Sequence, residues 1–189
     1  MPNVVVIAGA NGAGKSTLAP YLLRDTVGIL EYVNADTIAA GLSAFAPENS
    51  AFEAGKVMLT RLNELAGQKK DFAFETTLAA RFYAGWLQKR QLEGYQFHLV
   101  FLYLRNTELA VERVKSRIRL GGHSIPETVI NRRYDKGLQN FFQLYQPIAD
   151  SWRFYETSEM PVLIASGAKE GKINIVKAEL WNDLQKSKK

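Results

Sequence analysis

A glycine-rich segment directly after the first apolar run constrains the fold of this chain more than any other feature. Residues 9–16, Gly-Ala-Asn-Gly-Ala-Gly-Lys-Ser, match the pattern G-x-x-x-x-G-K-[ST] at every fixed position, and apolar residues 4–8 precede them. Such a loop surrounds phosphate oxygens with backbone N–H groups at a helix N-terminus, so it requires a strand before it and an amphipathic helix after it. Leu18, Tyr21 and Leu22 begin that helix. The motif predicts binding of a nucleoside triphosphate.

Residue chemistry assigns roles within this loop. The Lys15 ammonium is expected to reach the β and γ phosphates, and the Ser16 hydroxyl is expected to ligate Mg²⁺. Backbone groups of the other loop residues are expected to cradle the nucleotide; these are Gly9, Ala10, Asn11, Gly12, Ala13, Gly14 and Thr17. The predicted cofactors are ATP and Mg²⁺.

The rest of the chain alternates short apolar runs with helical patterns, which is typical of a parallel sheet covered by helices. Residues 78, 82 and 86 have the spacing of one helix face, residues 152–155 resemble an added edge strand, and residues 173–184 a closing helix. With 189 residues, of which 47% are hydrophobic, one domain over 1–189 accounts for the whole chain. The chain has no cysteine, and we find neither a leader nor an apolar run long enough to span a membrane. These features favour a cytoplasmic protein that does not contact membranes.

Two carboxylates follow predicted strands. Asp36 comes after the strand at residues 32–34, and Glu75 after the strand at residues 72–74. Strand ends at this edge face the ligand in such folds, so Asp36 is a candidate general base for a hydroxyl that attacks the γ-phosphate, or a support for Mg²⁺. It is also a candidate cap for a following helix. Glu75 is positioned to orient Mg²⁺ or water, or to hold a substrate hydroxyl together with Thr77.

Most of the net charge of +5 lies between residues 105 and 136, a segment that contains eight Lys or Arg and four Asp or Glu. A helix after Thr107, a turn at Gly121 and Gly122 and a second helix with a capping-box spacing at Ser124–Glu127 together suggest a lid over residues 117–133. Guanidinium groups clamp phosphates bidentately, which makes the lid arginines candidates for catalysis. They are Arg117 and Arg119 at the lid entry and Arg132 and Arg133 at its exit, with Arg113 on the nucleotide side. A solvated pair of charged helices is the alternative.

With these motifs in view, the chain resembles the small stand-alone members of the zeta toxin family of P-loop kinases. The resemblance runs through residues 8–17, 33–36, 74–77, 121–127, 132–134 and 150–152. It implies an adenylate-kinase-like, three-layer α/β fold with a mainly parallel sheet. It also implies transfer of phosphate from ATP to a hydroxyl of a nucleotide sugar, the 3′-hydroxyl of UDP-N-acetylglucosamine in characterised members, and a separate antitoxin partner. By motif position, Asp36 resembles the family's catalytic base, Lys15 its P-loop lysine, and Glu75 and Thr77 its acceptor-binding pair.

The chain departs from the larger toxins on the acceptor side. Lys56 or a neighbour stands where a second acceptor-binding glutamate is expected, and Glu53 is the nearby substitute. Other readings therefore stay open: a kinase for another small-molecule hydroxyl (an antibiotic or a cofactor precursor) or for a nucleic-acid end, and a non-catalytic binding module gated by ATP. A nucleic-acid partner is disfavoured because Tyr134 is the one aromatic residue of the lid segment, and base stacking requires several. A GTPase is disfavoured because no guanine-recognition motif is present.

Overall fold

The computed structural model describes residues 1–23, 28–44, 47–119 and 124–186, and these ranges contain seven strands and seven α-helices. The strands are β1 (Asn3–Gly9), β2 (Tyr32–Val33), β3 (Phe72–Thr76), β4 (Gln96–Tyr103), β5 (Ser151–Glu156), β6 (Val162–Ala168) and β7 (Asn174–Ile175). The α-helices are α1 (Lys15–Leu23), α2 (Ala35–Leu42), α3 (Ala51–Gly67), α4 (Phe82–Leu92), α5 (Thr107–Arg119), α6 (Glu127–Asn140) and α7 (Ala178–Lys186). Short 3₁₀ turns at Pro47–Ser50 and Gln146–Ile148 and a π-helical turn at Phe141–Tyr145 complete the described elements.

All seven strands belong to one sheet in the order β2-β3-β1-β4-β5-β6-β7. The pairings from β2 to β5 are parallel, and β6 and β7 are antiparallel additions. Because β1 lies between β3 and β4, the loop that follows it emerges at the centre of the carboxyl edge of the sheet. That edge is where ligands bind in open α/β sheets.

Helices cover both faces of the sheet, as the buried β-branched run of β1 requires. Val4 and Val6 face a core that includes residues of α3, α4 and α7, whereas Val5 and Ile7 face a second core formed with α1 and α5. The alternation follows from the two-residue period of a strand. The predicted three-layer α/β class with a mainly parallel sheet is confirmed.

Several local predictions were wrong. The strand at residues 152–155 is not an edge strand, because β6 pairs with β5 on its outer side and Gly167 leaves room for the Trp152 ring. The stripe at residues 78, 82 and 86 is not one helix face: α4 begins at Phe82, whose side chain is exposed, and buried Leu78 precedes the helix. The closing helix begins at residue 178, after the short strand β7.

The lid helices also differ from expectation at their ends. Helix α6 begins at Glu127 after Pro126 and has no side-chain cap, so the capping box expected from Ser124 does not form. At the start of α5, the Asn106 side chain accepts a hydrogen bond from the Leu109 N–H at 2.9 Å. The expected turn at Gly121 and Gly122 lies outside the described residues.

Candidate active site

The loop between β1 and α1 has the backbone geometry that phosphate binding needs. Gly9 and Gly12 have φ angles of +142° and +80°, and a Cβ at Gly9 would lie 2.2 Å from the Leu102 carbonyl oxygen. Only glycine accommodates such backbone angles and so close an approach. Helix α1 begins at Lys15, so its N-terminus carries unpaired N–H groups and a partial positive charge. This N-terminus faces a cavity that the loop and the neighbouring strand ends line.

The Lys15 ammonium is folded back on this loop. It donates hydrogen bonds to the carbonyl oxygens of Gly9 and Ala10, both at 2.9 Å, and the residue is only 7% exposed. Burial lowers the pKa of Lys15, while the carboxylates of Glu75 and Asp36 oppose that shift. Phosphate oxygens of a bound nucleotide would compete with the two carbonyl oxygens for hydrogen bonds from the Lys15 ammonium, which already lies at the loop.

Glu75 lies at the end of β3, beside the loop. The Ser16 hydroxyl donates to its carboxylate at 3.0 and 3.2 Å, and the Tyr32 hydroxyl donates to it through a short hydrogen bond. The Asn34 amide in turn donates to the Ser16 oxygen at 3.4 Å. The structure thus brings Glu75 to the hydroxyl expected to ligate Mg²⁺, because β3 is the direct neighbour of β1.

Asp36 lies in the first turn of α2, but it does not cap that helix. The Asn34 side chain is the cap, since its oxygen accepts hydrogen bonds from the N–H groups of Asp36 and Thr37 at 2.7 and 3.2 Å. The Asp36 carboxylate therefore projects into the cavity, where its Oδ2 lies 3.8 Å from Nη1 of Arg117. A cap at Asn34 was missed by the sequence prediction, although an Asn at a strand end before a helix is a usual signal for one.

Two of the four lid arginines reach the cavity. Arg117 lines it from α5, and its Nε and Nη2 are buried atoms without a hydrogen-bond partner in the described part of the chain. Arg133 lines it from α6 and donates to the Asn11 side chain at 3.4 Å. Burial lowers the pKa of Arg133, and the charge of Asp36 opposes that shift.

The other two lid arginines point elsewhere. Arg119 is exposed and donates to the Ser116 hydroxyl at 3.0 Å, and Arg132 is exposed as well. Neither lines the cavity. Two residues along a helix are about 200° apart, and adjacent residues about 100°, so only one member of each pair can face the sheet edge.

Arg113 links the loop to the segment after β5. Its guanidinium donates to the carbonyl oxygens of Gly12 at 3.2 Å, Thr157 at 3.0 Å and Ser158 at 2.6 Å. The Thr157 hydroxyl donates to the Ala13 carbonyl oxygen at 3.0 Å. Arg113 also lines the cavity, and its hydrogen bonds in the structure go to the backbone of the loop and of residues 157–158. Its expected place on the nucleotide side stays a prediction.

The cavity formed by these residues has a volume of about 540 Å³, which is the size of a small-molecule site. Thr77, Met58 and Tyr83 also line it. Glu53 does not reach it, because that side chain projects from another face of α3 into a neighbouring cavity of about 660 Å³ that Lys56 also lines. Met58 and Tyr83 were missed as cavity residues, since their spacing is equally typical of core positions.

The oxygen donors around Ser16 suit Mg²⁺. This ion binds through one or two protein oxygens and completes its shell with phosphates and water. The Ser16 hydroxyl and the nearby Glu75 and Asp36 carboxylates provide such a set. Among the described residues, no three His, Cys, Asp or Glu side chains form a cluster that could hold a metal alone, so a nucleotide would have to supply further ligands.

Comparisons with known proteins agree with this geometry. A family model described as zeta toxin matches residues 1–166. An uncharacterized protein of Haemophilus influenzae is 28% identical over 130 residues, which make up 69% of this chain and 91% of the relative.

No helix among the described residues has the length and apolar character needed to cross a membrane.

Two solved complexes share the fold. The AvrRxo1-ORF1:AvrRxo1-ORF2 structure with ATP matches with a TM-score of 0.79 at 19% identity, over 97% of this chain and 63% of the other. This chain thus spans less than two thirds of that relative. A structure of the PezAT toxin–antitoxin system of Streptococcus pneumoniae matches with a TM-score of 0.64 at 15% identity, over 100% of this chain and 86% of the other. The shared architecture is the P-loop kinase fold.

Proposed function

This chain belongs to the zeta toxin family, and from that premise we propose that it is an ATP-dependent phosphotransferase that moves the γ-phosphate to a hydroxyl of a small molecule. One observation carries the proposal. The Asp36 carboxylate shares a single cavity with the P-loop lysine, Lys15, and with two arginines from different helices, Arg117 and Arg133. In that place the carboxylate can accept the proton of an attacking hydroxyl, a role that nucleotide binding alone does not require.

On the donor side, the loop and Lys15 bind the triphosphate. Backbone N–H groups at the start of α1 point to the phosphates, and the Lys15 ammonium exchanges its two carbonyl partners for phosphate oxygens. Ser16 would hold Mg²⁺, with Glu75 beside it, and the bound ion would supply positive charge that neutralises the phosphates. Arg113 contributes by holding Gly12 in place.

On the acceptor side, Asp36 is the general base. Its carboxylate accepts the proton of the acceptor hydroxyl as the oxygen attacks phosphorus and the bond to the ADP oxygen breaks. Arg117 and Arg133 bind the equatorial oxygens of the phosphoryl group, where charge is spread in the transition state. Because Oδ2 of Asp36 lies 3.8 Å from Nη1 of Arg117, the general base and this phosphate-binding arginine can act on the same phosphoryl group.

We propose a nucleotide sugar such as UDP-N-acetylglucosamine as the acceptor, held by Glu75 and Thr77, because family membership supports that class. Glu53 lies in a different cavity, which argues against a role for Glu53 in acceptor binding. Met58 and Tyr83 form an apolar wall there instead, which favours an acceptor with an apolar face. The same site therefore supports a second candidate, another hydroxyl compound with such a face.

A separate antitoxin and a cytoplasmic location complete the proposal. Two of the solved structures with this fold are an AvrRxo1-ORF1:AvrRxo1-ORF2 complex and part of a toxin–antitoxin system, which supports a protein partner for this chain as well. The cytoplasm is proposed because it supplies ATP. Co-purification of this chain with the product of a neighbouring gene would test the partner.

Mass spectrometry tests the reaction. Purified protein is incubated with ATP, Mg²⁺ and a metabolite extract or pure UDP-N-acetylglucosamine, and we expect one species to gain a single phosphate while ADP forms. Asp36→Asn protein is the matched control, since it keeps the P-loop. ADP formation that never depends on any acceptor would contradict the proposal and favour a binding module.

A further inference from the structure

The hydrogen bonds of Glu75 leave one of its partners without an assigned role. Ser16, one of the two hydroxyl donors to this carboxylate, belongs to the P-loop. The other, Tyr32, comes from the short strand β2. Neither the P-loop motif nor the lid accounts for a tyrosine at that position.

The sheet register explains why this tyrosine reaches Glu75. Tyr32 pairs with Ala73 across β2 and β3, and Glu75 lies two residues further along β3. Residues two apart on a strand project from the same face, so Tyr32 and Glu75 are diagonal neighbours on one side of the sheet. Strand β2 thereby brings a phenol to the end of β3.

The position and the protonation of the Tyr32 hydroxyl suit it to hold the Glu75 carboxylate in one orientation. The Tyr32 ring lines the neighbouring cavity that contains Glu53 and not the first cavity, so Tyr32 reaches that cavity through the side chains it contacts, Glu75 and Asn34. Burial and the adjacent Glu75 charge raise the pKa of Tyr32, so its hydroxyl keeps the proton that it donates. A short hydrogen bond to a carboxylate oxygen restricts rotation of that group.

We propose that Tyr32 is a positioning residue that holds the Glu75 carboxylate against Ser16 and thereby sets the affinity of the nucleotide complex for its divalent ion. In this arrangement Ser16 would hold the ion, and the Glu75 carboxylate would keep the Ser16 hydroxyl in place. Outer partners of this kind change metal affinity by roughly 10- to 100-fold when they are removed. The inference rests on the proposed function only in requiring that the chain binds ATP with a divalent ion.

Binding of Mn²⁺ to the protein with a non-hydrolysable ATP analogue, followed by the electron paramagnetic resonance signal of free Mn²⁺, tests this without any acceptor. We expect Tyr32→Phe to weaken Mn²⁺ binding by roughly 10-fold. Affinity for the analogue in EDTA, measured by calorimetry, should stay at the wild-type value. Tyr95→Phe is the matched control: it also removes a buried tyrosine hydroxyl, one that donates to the Lys70 carbonyl oxygen at 2.9 Å, away from the cavity, and it should leave Mn²⁺ binding unchanged.

A double-mutant cycle shows whether Tyr32 acts through Glu75. If it does, Glu75→Gln should weaken Mn²⁺ binding, and adding Tyr32→Phe to that variant should change little more. A Tyr32→Phe protein that binds Mn²⁺ like wild type, or an effect of Tyr32→Phe that persists in full in the Glu75→Gln background, would overturn the proposal. Failure of wild-type protein to bind the analogue at all would instead count against the proposed function.

Discussion

Gly137 packs helix α6 closely against the backbone of Thr77, and replacing it with alanine should separate them. A Cβ at Gly137 would lie 2.3 Å from the Thr77 carbonyl oxygen, whereas ordinary contact begins at 3.4 Å. Both groups belong to backbone, so no side-chain rotation relieves the clash. Helix α6 must move away from Thr77 by roughly 1 Å, and Arg133, one turn earlier on the same helix, must move with it.

The cost can be estimated against a matched substitution. Gly85 lies in the interior of α4 with nothing within 4 Å of its added Cβ, so Gly85→Ala should stabilise the protein by about 0.5–1 kcal/mol through helix propensity. Gly137→Ala gains the same propensity but adds an overpacking cost of roughly 1–3 kcal/mol. For a chain of this size, 1 kcal/mol shifts Tm by about 2–4 °C, so the Gly137→Ala protein should melt about 2–12 °C below the Gly85→Ala protein.

Thermal unfolding followed by circular dichroism measures this difference. Once an acceptor is known, kcat of Gly137→Ala should also fall, by up to roughly 10²-fold, because phosphoryl transfer depends on ångström-scale placement of the clamping arginine. Equal Tm values for the two variants within error would refute the reasoning, since they would show that α6 does not pack on Thr77 as closely as described.

Four further substitutions, one of them a control, test the assigned roles. Asp36→Asn should lower phosphoryl transfer by at least about 10²-fold while nucleotide affinity measured by calorimetry is kept, and retained turnover would remove Asp36 as the base. Lys15→Ala should raise the Kd for ATP by at least about 10-fold, since it removes charge-assisted hydrogen bonds to phosphate; an unchanged Kd would contradict the P-loop assignment. Arg117→Ala should reduce kcat by about 10²-fold or more, whereas Arg132→Ala, on the exposed side of α6, should stay within about 2-fold of wild type. Equal losses of kcat in these two arginine variants would show that a position in the cavity lining does not distinguish a catalytic arginine from a non-catalytic one.

Much of the donor side could be predicted because it depends on contiguous sequence. The loop from Gly9 to Thr17 carries its glycines, its lysine and its hydroxyl within nine residues, and their arrangement follows from local backbone geometry. Asp36 and Glu75 were also predicted near the cavity, because parallel strands end at the same edge of a sheet. These inferences need only the order of strands and loops along the chain.

Contacts between distant segments could not be predicted in the same way. The hydrogen bonds from Arg113 to residues 157 and 158 join positions more than 40 residues apart, and nothing near Arg113 in sequence indicates them. The contact of Tyr32 with Glu75 likewise depends on the register of β2 against β3.

The sequence by itself therefore determined the class of fold, the phosphate loop and the acids at the strand ends, because each is encoded in local pattern and residue chemistry. Only the tertiary structure decided which of the four arginines line the cavity, that Glu53 lies in a different cavity, and that Met58 and Tyr83 line the first one. Periodicity shows which residues share a helix face, but the rotation of a helix about its axis is set by packing, here by the contact of Gly137 with Thr77. A rotation of α6 by one residue, about 100°, would turn Arg132 toward the cavity in place of Arg133.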